Sequence, residues 1–462
     1  MFRILRKLQR TIIALVKLGM YLWIGLSYFL IMGQRSWSLL RLSRTMGVTL
    51  LTFTAVLIAM TAAYGGCDIG RRKSKPIISS IALATGMTDI VTTLQLSIMN
   101  TNAANGLVFS LENFFLLIPV LIAQLAGIWC FVYLGNGVYF RINKPERCCV
   151  VTSSKSSFLE IAGAAGAFKK QYDIRYVRRY DSEDLQEILL KCDTVFLYDV
   201  PVKERTELVE FCYRNMLNIY FNPEIADIVE MNARHVILDD VSLISAPVKE
   251  LSFEQQIMKR TMDIVLCLIA LIPAAPIMLI CAIAIKKNDG GPVFFKQERA
   301  TKGGKVFSVY KFRTMKENAA IYSATSDDDR ITSVGRVLRK YRLDEIPQIL
   351  NILKGEMSIV GPRPEMLSNV YMYTKEYPEF AYRLRVKAGL TGYAQIAGKY
   401  NTTPKYKLIL DLMYIENYSI MKDIKLMLQT LIVLFKPDST EGFATALEDD
   451  MEKYSRRMDI RL

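Results

Sequence analysis

Four long apolar stretches open the chain, near residues 11–33, 46–65, 77–99 and 111–135, and each is about long enough to cross a bilayer as a helix. Basic residues flank them: Arg3, Arg6, Lys7 and Arg10 precede the first, Arg71-Arg72-Lys73 and Lys75 separate the second from the third, and Arg141, Lys144 and Arg147 follow the fourth. Lysine and arginine collect on the cytoplasmic side, so those three places are expected there. The loop Asn100 to Asn105 has no basic residue and fits the outside. The first loop carries Arg35, Arg41 and Arg44 and fits the outside badly, which leaves a different path open for the first two stretches. None of the stretches is followed by a signal-peptidase-like site.

After residue 146 the period changes. Short apolar runs, Cys148 to Thr152, Ile174 to Val177, Thr194 to Tyr198 and Asn218 to Phe221, alternate with helical segments near 156–170, 183–191 and 202–216. That is the pattern of a parallel sheet with crossover helices, a Rossmann-like α/β module over 147–250. Its first turn is Ser153-Ser-Lys-Ser-Ser157, and Gly163 and Gly166 come too late for a dinucleotide fingerprint, so bound NAD is not expected. A fifth apolar stretch, Asp263 to Ile285, is interrupted by Pro273 and Pro276 and has basic pairs at both ends, Lys259-Arg260 and Lys286-Lys287. Both ends therefore favour the cytoplasm. A helix over 260–286 that enters one leaflet, bends near Ala275-Pro276 and returns meets that constraint, whereas a straight crossing would put the remainder of the chain outside.

Two strands around Gly303-Gly304 come next. Strand alternation puts Phe307, Val309, Lys311 and Arg313 on one face, so two cations leave the apolar side together. Arg336, Arg339 and Lys340 recur at helical spacing as one cationic face. Asp327-Asp-Asp329 reads as a solvated turn before that helix. The segment Leu408 to Phe435 is apolar but punctuated by Asp411, Glu416, Lys422, Asp423 and Lys425, as suits helices lying on a membrane surface.

Composition narrows the class. Half of the 462 residues are hydrophobic (51%), and the formal charge of +14 suits anionic lipid or phosphorylated substrates. No nucleic-acid-binding signature accompanies the charge, so nucleic acid is not an expected partner. The eight cysteines are scattered and read as reduced, and no metal-ligand spacing occurs among them. His235 is the single histidine and lies in an apparent strand, so triads and zinc sites built on histidine have no other support. Lys17 and Asp89 lie within apolar stretches, and a structural role is expected for both.

The chemistry concentrates in the run from Arg342 to Pro364. Adjacent carboxylates, Asp344 and Glu345, precede Pro347, which suits the first turn of a helix, and Gly355 can end that helix with a positive φ. Free N–H groups at a helix start favour phosphate or ionised carboxylate. Arg363 stands between Pro362 and Pro364, a stiff mount for a bidentate phosphate fork. The ordered set Asp344-Glu345, Pro347-Gln348, Asn351, Lys354-Gly355, Met357-Ser358 and Gly361-Pro362-Arg363-Pro364 resembles the signature of the bacterial sugar transferase family, the monotopic polyprenyl-phosphate phosphoglycosyl transferases. The resemblance covers about residues 257–436. It departs at Ala388, Tyr393 and Lys399, where the family usually has proline, tryptophan and arginine; a lysine does not reproduce the bidentate fork.

The resemblance implies a membrane protein of α/β class in four parts. These are transmembrane helices over 1–146 as a four-helix bundle, the Rossmann-like domain over 147–250, a catalytic domain over 251–440 with the re-entrant helix 260–286 broken at Pro273 and Pro276, and a tail over 441–462. It implies transfer of a sugar-1-phosphate from a UDP-sugar to polyprenyl (undecaprenyl) phosphate, with UMP released, as the initiating step of exopolysaccharide, capsule or O-antigen-type assembly. Asp344 would be the nucleophile. Glu345 and Asp344 would hold Mg²⁺, with Mn²⁺ as a substitute, and Arg363, Arg339, Lys311, Arg313, Lys399 and Arg336 would meet substrate phosphates. Membrane lipids are expected partners, a homo-oligomer is compatible, and the expected place is the bacterial cytoplasmic membrane, multi-pass, with the catalytic part facing the cytoplasm. Two other readings stand beside it: a catalytically degenerate membrane-anchored sensor or scaffold, and a transporter using Lys17 and Asp89.

Overall fold

The computed structural model describes residues 8–101, 112–166, 168–246, 250–316, 329–398, 403–434 and 458–461. The chain divides into two compact units, Met1–Asn222 with Thr445–Leu462, and Pro223–Ala444.

The first unit begins with four apolar helices, α1 (Gln9–Gly33), α2 (Arg44–Tyr64), α3 (Ser74–Met99) and α4 (Leu117–Ile142), each long and apolar enough to cross a membrane. Ser43 caps α2 by accepting from the Met46 N–H, and Gly65 closes it in the left-handed region at φ 97°. Helix α1 packs on α4, and α3 packs on both α2 and α4, around a core that includes Met20, Ile24, Tyr28, Phe53, Ile77, Ile81 and Ile128. The inward face of α3 is unusually polar: Thr85, Thr88, Asp89, Thr92, Thr93 and Ser97 are all buried. Asp89 accepts from Gln124 Nε2 at 3.2 Å and Tyr28 bonds Thr93 at 3.0 Å, which fits side chains that tie helices together in an apolar medium. Outward positions such as Leu18, Leu22, Leu26, Ile118 and Ile122 stay exposed, an apolar surface that water would not tolerate at this extent.

The same unit carries a parallel sheet of β1 (Glu146–Thr152), β2 (Tyr172–Arg179), β3 (Thr194–Tyr198) and β4 (Asn218–Phe221), interleaved with α5 (Lys155–Gly166), α6 (Leu185–Leu189) and α7 (Val202–Arg214). The strands fall on the apolar runs of the sequence, and β1 lies between β2 and β3 because its residues Cys148 to Val151 are buried from both faces. A further strand, Asp459–Arg461, joins the free side of β2 in parallel. Arg178, with no exposed surface, holds it there through Asp459 at 2.6 Å and the Asp184 carboxylate at 3.0 Å. The pattern of alternation gave no sign of this strand within the expected tail.

The second unit starts at Pro223, so residues 223–250 group with it and not with the sheet. They include a hairpin of β5 (Arg234–Leu238) and β6 (Val241–Ser245), in which His235 is exposed and bonds Ser242 Oγ at 2.7 Å. Helix α8 (Phe253–Asp289) follows, 37 residues opened by a capping box between Ser252 and Gln255 and closed by Gly290 at φ 73°. Helical structure continues through Pro273 and Pro276. Its middle exposes Leu268, Ile269, Ile272, Leu279 and Ile280, while Lys259 and Asp263 toward its start and Cys281 and Ile285 toward its end are buried against the same unit. The rest comprises the antiparallel pair β7 (Phe294–Ala300) and β8 (Val306–Phe312), α9 (Ser333–Lys340), α10 (Gln348–Lys354), β9 (Ser358–Val360), α11 (Leu367–Glu376), β10 (Gly389–Thr391), α12 (Tyr393–Ala397), α13 (Pro404–Glu416) and α14 (Ile420–Leu434). Helix α13 is a core helix, buried over Leu408 to Leu412 and Tyr414 to Glu416, and not the surface helix its charges suggested. Arg383 explains the difference by pairing with the buried Asp411 at 2.7 Å.

Candidate active site

Thr332 caps α9 by accepting from the Gly335 N–H, and Gly335 lets the helix lie directly on β8's exit: a β-carbon there would fall 2.0 Å from the Thr314 carbonyl oxygen. Arg342, at φ 53°, then turns the chain in the left-handed region, a strained conformation for a non-glycine residue. The turn delivers Leu343–Glu345 as one 3₁₀ turn, followed by Pro347 and α10, with Gly355 closing the helix at φ 85°. Asp344 and Glu345 thus project just ahead of α10.

Asn351 fixes that helix against β8. Buried completely, it donates Nδ2 to Ser308 O at 2.7 Å and accepts the Tyr310 N–H at 2.9 Å. This docking brings Lys311 of β8 to the carboxylates, its Nζ 3.0 Å from Glu345 Oε1. Arg363 arrives from the other side, Nη2 to the same oxygen at 2.8 Å. Its approach depends on Gly361, where a β-carbon would lie 2.4 Å from Lys387 O, and on Arg383, whose Nη2 donates to Arg363 O at 2.8 Å.

The two neighbouring carboxylates sit in opposite electrostatic states. Burial works against the charge of Glu345, but Arg363 and Lys311 outweigh it and hold the group well below the usual carboxylate range. Asp344 is pushed up instead, first by burial and then by the negative charge of Glu345, with Lys311 and Arg339 opposing. Among the described residues no cation lies within ion-pair distance of Asp344. One carboxylate is therefore fully ionised and clamped, and the other is uncommitted, the division expected when adjacent acids take different chemical roles. Both cations contact Glu345 at Oε1, which leaves Oε2 and the Asp344 oxygens as hard ligands. A divalent ion that takes one or two carboxylates and fills its shell with substrate oxygens fits that donor set.

The other residues singled out by the sequence separate. Arg339 turns inward, Nε to Thr314 Oγ1 at 3.0 Å, and acts on the charge of Asp344. Arg336, one turn earlier on the helix, is exposed and lines a cleft of about 450 Å³ with Asn288, Lys316, Asp329 and Ser333. Lys340 lies over the Tyr341 ring at 5.6 Å. Strand β8 ends at Phe312, so alternation no longer directs Arg313, whose guanidinium packs on Gly291; a β-carbon there would fall 1.9 Å from Nη1. Lys399, Asp327 and Asp328 lie outside the described residues.

Two residues escaped the sequence reading. Arg299 on β7 is pressed down to about 10 by burial and by the neighbouring Arg363 charge, and Glu365 and Glu345 pull it back. Glu365 pairs with Lys407 at 3.3 Å and is held below its usual range despite its burial by Lys407, Arg383 and Arg363. The signal for Arg299 was available. The pairing of Arg299 with Phe307 and of Phe295 with Lys311 puts Arg299 on the Lys311 face, had the alternation been carried back across the Gly303-Gly304 turn.

A model of the bacterial sugar transferase family matches residues 254–437. Over 179 residues the chain is 40% identical to a UDP-N-acetylgalactosamine-undecaprenyl-phosphate N-acetylgalactosaminephosphotransferase of Aeromonas hydrophila, a stretch that is 37% of this chain and 42% of that protein. Two proteins named UDP-glucose:undecaprenyl-phosphate glucose-1-phosphate transferase are also similar. One, from Caulobacter vibrioides, is 38% identical over 39% of this chain and 71% of its own length. The other, from Xanthomonas campestris pv. campestris, is 32% identical over 58% of this chain and 60% of its own. With seven-tenths of the Caulobacter protein covered at that identity, the chain belongs to the bacterial sugar transferase family.

Proposed function

We propose that the protein transfers a sugar-1-phosphate from a UDP-sugar to undecaprenyl phosphate and releases UMP. The observation that carries the reading is the clamped Glu345 beside an uncommitted Asp344, with Lys311, Arg363 and Arg339 around them. Exchange of one phosphoanhydride for another asks a protein mainly to position reactants and neutralise phosphate oxygens, and this cluster supplies both. The names of the relatives supply the substrate classes.

In the proposed sequence an Asp344 oxygen attacks the sugar-linked phosphorus. The bond from that phosphorus to the bridging oxygen breaks, and UMP leaves with the electron pair. An oxygen of the lipid phosphate then attacks the same phosphorus, the bond to Asp344 breaks, and the carboxylate is restored. Arg363 and Lys311 hold Glu345 ionised and face the transferring phosphate, and Arg299 and Arg339 add positive charge at its edge. Mg²⁺ bound by Glu345 and Asp344 would neutralise charge on the diphosphate. Helix α8 is read as entering the cytoplasmic leaflet and returning, since both its ends pack on one unit and its middle is apolar. That keeps the carboxylates at headgroup depth, where a very apolar acceptor and a soluble nucleotide both arrive.

The test is UMP release by the purified full chain in detergent with Mg²⁺, undecaprenyl phosphate and a panel of UDP-sugars. Release with at least one sugar, dependent on the lipid, is expected; no release with any of them would favour a degenerate scaffold and overturn the reading.

A further inference from the structure

Three charged residues near the start of α8 take no part in the proposed chemistry, yet each grips a different piece of backbone behind the site. Arg260 donates to the carbonyls of Ile352 and Leu353, both at 2.6 Å, in the last turn of α10. Asp263 accepts on Oδ1 from Ser358 Oγ at 3.1 Å and from the Ile359 N–H at 3.0 Å. Lys259 donates Nζ to Val360 O at 2.9 Å and to Asp423 Oδ2 at 2.5 Å. Lys259 is 8% and Asp263 3% exposed, so both are buried polar side chains, each with a main-chain partner in β9.

The segments they hold are the two that carry the site. Helix α10, seven residues long, follows Asp344 and Glu345, and strand β9, three residues long, leads within three residues to Arg363. Elements this short do not fix their own positions, because their internal hydrogen bonds do not repay the entropy of ordering them. From β9 onward the chain is stiff: Gly361 N–H bonds Thr391 O at 2.8 Å, and Pro362 and Pro364 frame the arginine. A displacement of Ile359 is therefore passed on to Arg363.

We infer that Asp263, assisted by Lys259, is a positioning residue: anchored in the membrane helix, it holds β9 so that Arg363 stays opposite Glu345. The kinetic arm of the test rests on the proposed transferase reaction; the exchange arm does not. In UMP release, Asp263→Ala is expected to lower kcat by about 100-fold with KM nearly unchanged, the cost of a small misplacement at a reacting centre. Asp263→Asn, which keeps an acceptor at Oδ1, should recover most of it. In an Arg363→Ala background the same Asp263→Ala change should cost at most about twofold more, because its route through Arg363 is already gone. Hydrogen exchange gives the independent readout: Asp263→Ala should speed exchange across 358–363 and leave 306–312 unchanged, whether or not the wild type releases UMP. Should that variant be recovered misfolded, Ser358→Ala removes one donor only and should show the same non-additivity with a loss of about tenfold. A wild-type rate in Asp263→Ala, fully multiplicative losses with Arg363→Ala, or unchanged exchange at 358–363 would overturn the inference.

Discussion

Two carboxylates on consecutive residues differ because only one is paired with cations at contact distance. Glu345 Oε1 takes Lys311 and Arg363, whereas at Asp344 burial and the charge of Glu345 outweigh the more distant pull of Lys311 and Arg339. A nucleophilic Asp344 must be ionised, and its pKa is raised, so the rate should fall as pH drops through a point above the ordinary aspartate range. Glu345→Gln removes the charge that lifts Asp344 and should move this acid limb to lower pH. Lys311→Met removes an opposing cation and should move it to higher pH. Profiles of kcat/KM against pH for the three proteins check both signs, and a limb that stays put in both variants would deny Asp344 the role. Glu345 and Arg363 could be named from the sequence because they lie inside the ordered run 344–364, and Lys311 because strand alternation puts it beside Phe307 and Val309. Arg313 stands one residue past the end of β8, where strand alternation no longer sets direction. Glu365 gave no signal, since its partners Lys407 and Arg383 come from distant elements.

At the scale of elements, the site depends on how α9 and α10 are set on β8. Asn351 does this for α10 from a fully buried position, and Asn351→Leu leaves Tyr310 N–H and Ser308 O without that partner. Stranding these partly buried main-chain groups should cost about 1 kcal/mol of stability and loosen Lys311 from Glu345; a thermal melt in detergent with and without UDP-sugar measures it. For α9 the tight contact is Gly335. Gly335→Ala sets a methyl against a main-chain carbonyl, so UMP release should be lost by more than about tenfold, while Gly163→Ala, with open space around it, should leave UMP release nearly unchanged. The limits of α10 were legible, because Pro347 and Gly355 are local chemistry, whereas α8 starts seven residues before the expected 260, at a capping box on Ser252. The strand at 459–461 was not. It is three residues long, and a buried Arg178 far away in the chain secures it.

For the molecule as a whole, the five long apolar helices among the described residues and the exposed apolar middle of α8 argue for life in a membrane. If α8 enters and leaves one leaflet, cysteines introduced at Gln255 and Asn288 should both react with an impermeant maleimide from the cytosolic side only. Labelling of Asn288 from the opposite side would make α8 an ordinary span. The parallel sheet was visible as apolar runs of strand length, whereas the boundary at Asn222 was not, since nothing in composition marks it. The central claim is chemical: Asp344 carries the sugar phosphate between donor and acceptor. Its most direct test is intact-mass and peptide mapping of the full chain after incubation with a turned-over UDP-sugar and no lipid acceptor. The account predicts one added sugar-phosphate on the peptide containing Asp344, discharged by undecaprenyl phosphate and absent from Asp344→Asn. Full UMP release by Asp344→Asn, or turnover without any adduct on that peptide, would contradict it.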